Sequence, residues 1–131
     1  MNADGGLYIE DDGYGKNTAE IALQKVIDNG EALRVEYVSI DGACTDAAPK
    51  QIPEFENLIA IDLCISRLWA VDAYDFPPRI EVINLRGSWN VDSKSLIRDA
   101  SQLPHLRSII LSSHVYGEID ALNLEAGQLV Q

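Results

Sequence analysis

The chain has 131 residues, 47 % hydrophobic and 24 % charged, and its 21 acidic against 10 basic residues leave a net charge of -11. That length suits one domain, 1–131, and so much apolar material offsets chain entropy, which excludes a disordered chain and argues against two domains. An acidic surface repels phosphate backbones and anionic lipid while attracting basic surfaces, so nucleic acid and membranes are poor partners.

No stretch approaches the roughly 20 apolar residues of a membrane span. The start, Met1-Asn2-Ala3-Asp4, lacks the basic and apolar regions of a signal peptide, so a cytoplasmic setting is expected. Cys44 and Cys64 are too few for a disulfide framework and belong to no Cys/His cluster, so free thiols, no metal and no cofactor are expected.

Leu7-Tyr8-Ile9 reads as a short strand followed by the acidic run Glu10-Asp11-Asp12. Gly13-Tyr14-Gly15-Lys16-Asn17-Thr18 then stands where a phosphate-binding loop would lie. It departs from that pattern, which needs Gly at Glu10 and Ser or Thr at Asn17, and its carboxylates repel phosphate. Asn17-Thr18-Ala19-Glu20 reads as a capping box opening a helix whose buried stripe is Ala19, Ala22, Leu23, Val26 and Ile27. Gly30 supplies the left-handed stop. Residues 1–32 are thus expected to be a strand and helix covering one end of a stack.

Four segments then place apolar residues at their first, fourth and sixth positions: Val35, Val38, Ile40; Leu58, Ile61, Leu63; Ile80, Ile83, Leu85; and Leu106, Ile109, Leu111. Starts at 35, 58, 80 and 106 are separated by 23, 22 and 26 residues. Each triplet is one face of a short strand that cannot hide its apolar side alone, and stacking in parallel solves this if the intervening segments act as crossovers. The first crossover offers Ile52 and Phe55. The second offers Leu68, Val71 and Phe76, and Phe76-Pro77-Pro78 predicts an irregular path or a single turn. The third predicts a helix, with Asp92 as N-cap, Val91, Leu96, Ile97, Ala100 and Leu103 as apolar residues, and Pro104 closing it. Ile119, Leu122 and Leu124 repeat the spacing too soon for a full unit, so 116–131 is read as a shortened C-terminal cap after repeats in 33–115.

This spacing resembles the leucine-rich repeat family over about Asp4 to Leu124. The resemblance implies an α/β solenoid with a parallel sheet and helical or irregular crossovers. One departure is plain: position nine, where the family places Asn, holds Ala43, Ser66, Ser88 and His114. The same elements would also suit an ordinary parallel α/β sheet with helices on both faces.

Alternation turns positions three, five and seven to the other face, in rows Tyr37, Ala60, Val82, Ser108; Ser39, Asp62, Asn84, Ile110; and Asp41, Cys64, Arg86, Ser112. No row pairs a nucleophile with a histidine or flanks carboxylates with a base, so a contact surface rather than an enzyme is expected. Asp41 and Arg86 stand two strands apart, so any ion pair between them is weak. Arg67 and Trp69 follow the second strand, Trp89 the third, and His114 with Tyr116 the fourth, which puts residues typical of interface hot spots on one edge. Trp69 and Trp89 equally suit plugs between repeats. Asp41, Asp46, Glu54, Glu56, Asp62, Asp72 and Asp75 crowd the first two repeats with only Lys50 and Arg67 between them, which is either a solvated face or a means of capturing a basic partner.

The expected partner-binding set is therefore Tyr37, Asp41, Asp62, Arg67, Trp69, Asn84, Arg86, Trp89 and Tyr116. The expected role is an acidic, monomeric immunity or antitoxin-type inhibitor of a basic protein such as a nuclease toxin, and the start at Met1 with caps at both ends favours a stand-alone protein. The alternatives are a general leucine-rich-repeat scaffold or adaptor and, third, a small enzyme on a parallel sheet.

Overall fold

All the members of the four apolar triplets are buried, Leu106 being the most accessible at 8 %. The computed structural model describes residues 4–11, 18–42, 48–63, 71–86 and 91–111. Five strands, β1 (Gly6–Asp11), β2 (Tyr37–Gly42), β3 (Ala60–Asp62), β4 (Val82–Asn84) and β5 (Ser108–Ile110), make one parallel sheet in which each strand lies beside its neighbour in the chain. The repeat positions meet in register: Val38, Ile61, Ile83 and Ile109 are successive partners, as are Tyr37, Ala60, Val82 and Ser108.

The backbone repeats as faithfully as the side chains. One residue before each strand's partner row, a single carbonyl accepts two N–H groups from the next unit: Gly5 from Glu36 and Tyr37, Glu36 from Ile59 and Ala60, Ile59 from Glu81 and Val82, and Glu81 from Arg107 and Ser108. The N–H of each unit's first apolar residue, Val35, Leu58, Ile80 and Leu106, donates to the carbonyl three residues back. The same tight turn thus delivers the chain into the sheet each time, satisfying backbone groups that burial would otherwise strand.

β1 is the edge strand of the sheet and pairs with β2 along six residues, with Leu7 beside Val38 and Ile9 beside Ile40. Its apolar pair occupies the fourth and sixth repeat positions, but the first position is Asp4, whose carboxylate accepts the Gly6 N–H at 2.9 Å. The expected three-residue strand is therefore twice as long as its apolar core suggested.

β1 returns through α1 (Thr18–Asp28), which buries Ala19, Leu23 and Val26 and half-buries Ala22 and Ile27. Gly30 ends it at φ 74°, with the Gly30 N–H on the Ile27 carbonyl and the Glu31 N–H on that of Val26, the paired bonds of a left-handed helix stop. Asn17, half of the expected capping box, lies outside the described residues. The later crossovers are slighter. In the described parts of the first two, 3-10 turns lie at Ile52–Glu54 and Ala73–Asp75. The third is only partly helical: α2 (Lys94–Arg98) spans five residues and gives way to a 3-10 turn at Ala100–Gln102 ahead of Pro104. Its N-cap is Ser93 rather than Asp92, although the Asp92 carboxylate accepts the Lys94 N–H at 3.0 Å and so satisfies a first-turn donor from one residue earlier.

Ile52, Phe55, Val71, Phe76, Leu96 and Ile97 join the strand triplets and Leu23 in one core cluster. The opposite face keeps partial or full exposure at Tyr8, Glu10, Tyr37, Ser39, Asp41, Ala60, Asp62, Val82, Asn84 and Ile110. The buried residues of the described crossovers join the same core cluster as the strand triplets.

Candidate functional site

The open face takes its character from alternation alone, since every residue between two buried ones must turn outward. The resulting surface is graded. Over β1 and β2 it carries Tyr8, Tyr37, Glu10 and Asp41; over β3 and β4 it carries Ala60, Asp62, Val82 and Asn84, with Arg86 just beyond β4.

At the start of β1 and β2 two aromatic rings meet. Tyr8 and Tyr37 have centroids 5.5 Å apart and an interplanar angle of 61°, an edge-to-face contact. Tyr8 nevertheless stays 56 % exposed. Its ring leans back over Gly6, where a Cβ would stand 2.8 Å from Cε2 of the ring. Toward the far ends of the same strands, Glu10 and Asp41 are register partners, both exposed. Among the described residues no Lys or Arg nitrogen forms a salt bridge with either, the ion pairs being Arg34 with Glu31, Arg98 with Asp99, and Arg107 with Glu81. Asp41 and Arg86, expected to interact weakly at most, form no ion pair.

Asn84 is committed in part to its own chain: its Oδ1 accepts the Arg86 N–H at 2.9 Å, which closes the turn after β4. Asp62 is half-buried on the middle strand. Ser108, at the end of the first open-face row, is buried at 6 % exposure, against the expectation for its row, and its hydroxyl has no hydrogen-bond partner among the described residues. Arg67, Trp69, Trp89 and Tyr116 lie outside the described residues, as do Cys44, Cys64, Ser112 and His114. His105 is exposed in a turn.

The acidic crowd divides by use. Glu54 and Glu56 are exposed. Asp72 and Asp75 form a capping box around the Ala73–Asp75 turn, with the Asp72 N–H donating to Asp75 Oδ2 at 2.8 Å. Burial pushes the Asp75 carboxyl above its ordinary range, the Asp72 N–H pulls it back, and the neighbouring Asp72 charge adds to the rise. At the C-cap of α2, a side-chain hydrogen bond from Arg98 holds the Asp99 carboxyl below its ordinary range.

The end of the sheet where the chain enters has its own side-chain chain. Asn57 Nδ2 donates to the Leu33 carbonyl at 2.7 Å, and Arg79 Nη1 donates to Asn57 Oδ1 at 3.0 Å. Three successive crossovers are tied there, one residue or two ahead of each strand's first apolar position.

The expected set did not include Tyr8, Gly6 and Glu10 of β1. The signal was present, because Leu7 and Ile9 already define an alternation that turns Tyr8 outward, but a strand read as an end cap has no place in the rows. Among the described residues no three His, Cys, Asp or Glu side chains gather to hold a metal, and no helix is long and apolar enough to cross a membrane. No protein family model, curated protein or solved structure matches this chain.

Proposed function

We propose that the chain is a short leucine-rich-repeat-like solenoid that binds a basic protein on the open face of its sheet, as an immunity or antitoxin-type inhibitor, and that it is not an enzyme. The observation that carries this is a parallel sheet whose outer face keeps partial or full exposure among the described residues and whose β1–β2 side combines two tyrosines with the adjacent carboxylates of Glu10 and Asp41. The solenoid part rests on strands ordered as in the chain and on one hydrogen-bond pattern recurring at each rung. The charge part rests on a net charge of -11, which speeds encounter with a basic surface and fixes its orientation.

Isothermal titration against the product of the gene beside its own, at low and high salt, tests it. The expected result is binding that weakens with salt and weakens again in Asp41→Lys. Binding indifferent to both, or no binding together with turnover of a small molecule by the purified chain, overturns the reading.

A further inference from the structure

We infer that Tyr8 is the anchor point of the open face and that it receives an arginine or lysine side chain of the basic partner, with Glu10 and Asp41 meeting the cation's charge. This rests on the binding role proposed above and narrows it to one end of one pair of strands.

Three features converge there. Tyr8 presents an exposed ring that is not free to swing, since Tyr37 edges it at 5.5 Å and the bare backbone of Gly6 lies beneath it. An aromatic side chain held in place by its neighbours loses little entropy when covered, which suits it to anchor an interface. Glu10 follows Tyr8 on the same face of the same strand, about 7 Å away. Asp41 is its register partner one strand over. A guanidinium or ammonium on its long stem spans that distance, packing its methylenes or its cation against the ring while the carboxylates attract the charge.

The same chemistry disfavours other occupants of this end of the face. A second copy meeting it with its own β1–β2 side would set Glu10 and Asp41 against like charges. An anionic ligand would meet the same repulsion. Tyr74 is the internal contrast: it is 68 % exposed, more than Tyr8, yet it sits on a crossover turn rather than on the open face of the sheet.

Gly6 becomes a positioning residue in this scheme. Its φ is not in the left-handed region, so alanine is allowed by the backbone, but the added Cβ would meet Tyr8 Cε2 at 2.8 Å, and the Tyr8 hydroxyl oxygen and Asp4 Oδ1 each at 3.0 Å, so the ring must leave its seat and the Asp4 carboxylate give way. Gly6→Ala therefore separates the seat from the sheet.

The test uses the full chain labelled with 3-fluorotyrosine, whose five tyrosines give resonances assignable by single Tyr→Phe replacements. The probe is an acetylated, amidated Arg-Gly-Arg-Gly-Arg peptide, with the citrulline peptide of the same length as its uncharged counterpart. The expected result is a saturable shift of the Tyr8 and Tyr37 fluorine resonances with the arginine peptide, none with the citrulline peptide, and no shift at Tyr74. Tyr8→Leu and Gly6→Ala should each weaken the peptide about two- to fivefold, the share of an exposed cation–aromatic contact, with unfolding midpoints close to the parent's. Equal shifts at Tyr8 and Tyr74, equal effects of the two peptides, or a Tyr8 resonance that moves with protein concentration alone would each overturn the inference. If the natural basic partner still binds in a salt-sensitive way while Tyr8 is silent, the anchor fails and the binding role stands; if both are silent, the role falls too.

Discussion

The two faces of the sheet are built from the same short strands and obey opposite rules. On the inner face every position of the four apolar triplets from Val35 to Leu111 is aliphatic and buried, as are Leu7 and Ile9 of β1. On the outer face no residue type repeats from rung to rung: Tyr37, Ala60, Val82 and Ser108 share one row, and Ser39, Asp62, Asn84 and Ile110 another. The difference teaches where constraint lies. Close packing demands a uniform inner surface, while the outer one is free to carry a local composition, and here it gathers aromatic and acidic residues over β1 and β2.

Substitutions graded across the two faces sharpen this contrast. Ile83→Ala on the middle of the inner face, where the side chain is fully buried, should cost about 2–5 kcal/mol in urea unfolding through lost contacts and the cavity left behind. A loss below about 1 kcal/mol would mean that the neighbouring rungs collapse to refill the space, and that the inner face is looser than its burial implies.

Next comes the side-chain chain at the entry end. Asn57→Ala removes both the bond to the Leu33 carbonyl and the acceptor for Arg79, and should cost about 0.5–1.5 kcal/mol. Arg79→Ala keeps the Leu33 bond and should cost less. Equal costs for the two would locate the whole effect in the Arg79 contact.

A pH effect follows from Asp75. Its folded carboxyl is raised, mainly by burial, so its contribution to stability is present at low pH and is lost as pH rises through the folded value. Asp75→Asn keeps an acceptor for the Asp72 N–H and removes the ionisation. Relative to the parent, its stability should therefore improve as pH rises from about 4 into the mildly acidic range. Asp99 runs the other way: held low by the hydrogen bond from Arg98, its contribution is present above the unfolded value and disappears as pH falls through the folded one. Thermal melts across that range should show Asp75→Asn diverging from the parent upward in pH; parallel curves would remove the carboxyl's ionisation from the account.

The smallest expected stability change is on the outer face. Ser39→Ala and Asp41→Lys should move the unfolding free energy by no more than about 0.5 kcal/mol, while Asp41→Lys weakens capture of a basic partner. A large stability loss from either would mean that this face is covered rather than open.

Much of the architecture was legible in advance because period-two burial leaves a direct trace. Val38, Ile61, Ile83 and Ile109 could be aligned by spacing, and the strands paired at those positions. β1 as an edge strand paired with β2 along six residues was not legible, since Asp4 breaks the apolar triplet and the α1 crossover stretches the interval from Asp4 to Val35 to 31 residues. The short α2 with Ser93 as its cap was read only approximately, because Asp92 and Ser93 are both good caps and only geometry chooses between them. The outer-face residues Asp41 and Tyr37 were placed correctly on that face, yet Tyr8 and Gly6 were overlooked with the strand that holds them.

Composition and periodicity on their own decided that the chain folds, that it is acidic, and that aliphatic side chains recur at the interval of stacked parallel strands, because hydrophobic burial acts on residue type and spacing. Which surfaces stay open, which ring rests on which glycine, and which acidic residues fall in register depended on contacts between residues far apart in the chain. Tyr8 and Tyr37 are separated by a helix and a turn, and only the pairing of β1 with β2 brings them to 5.5 Å.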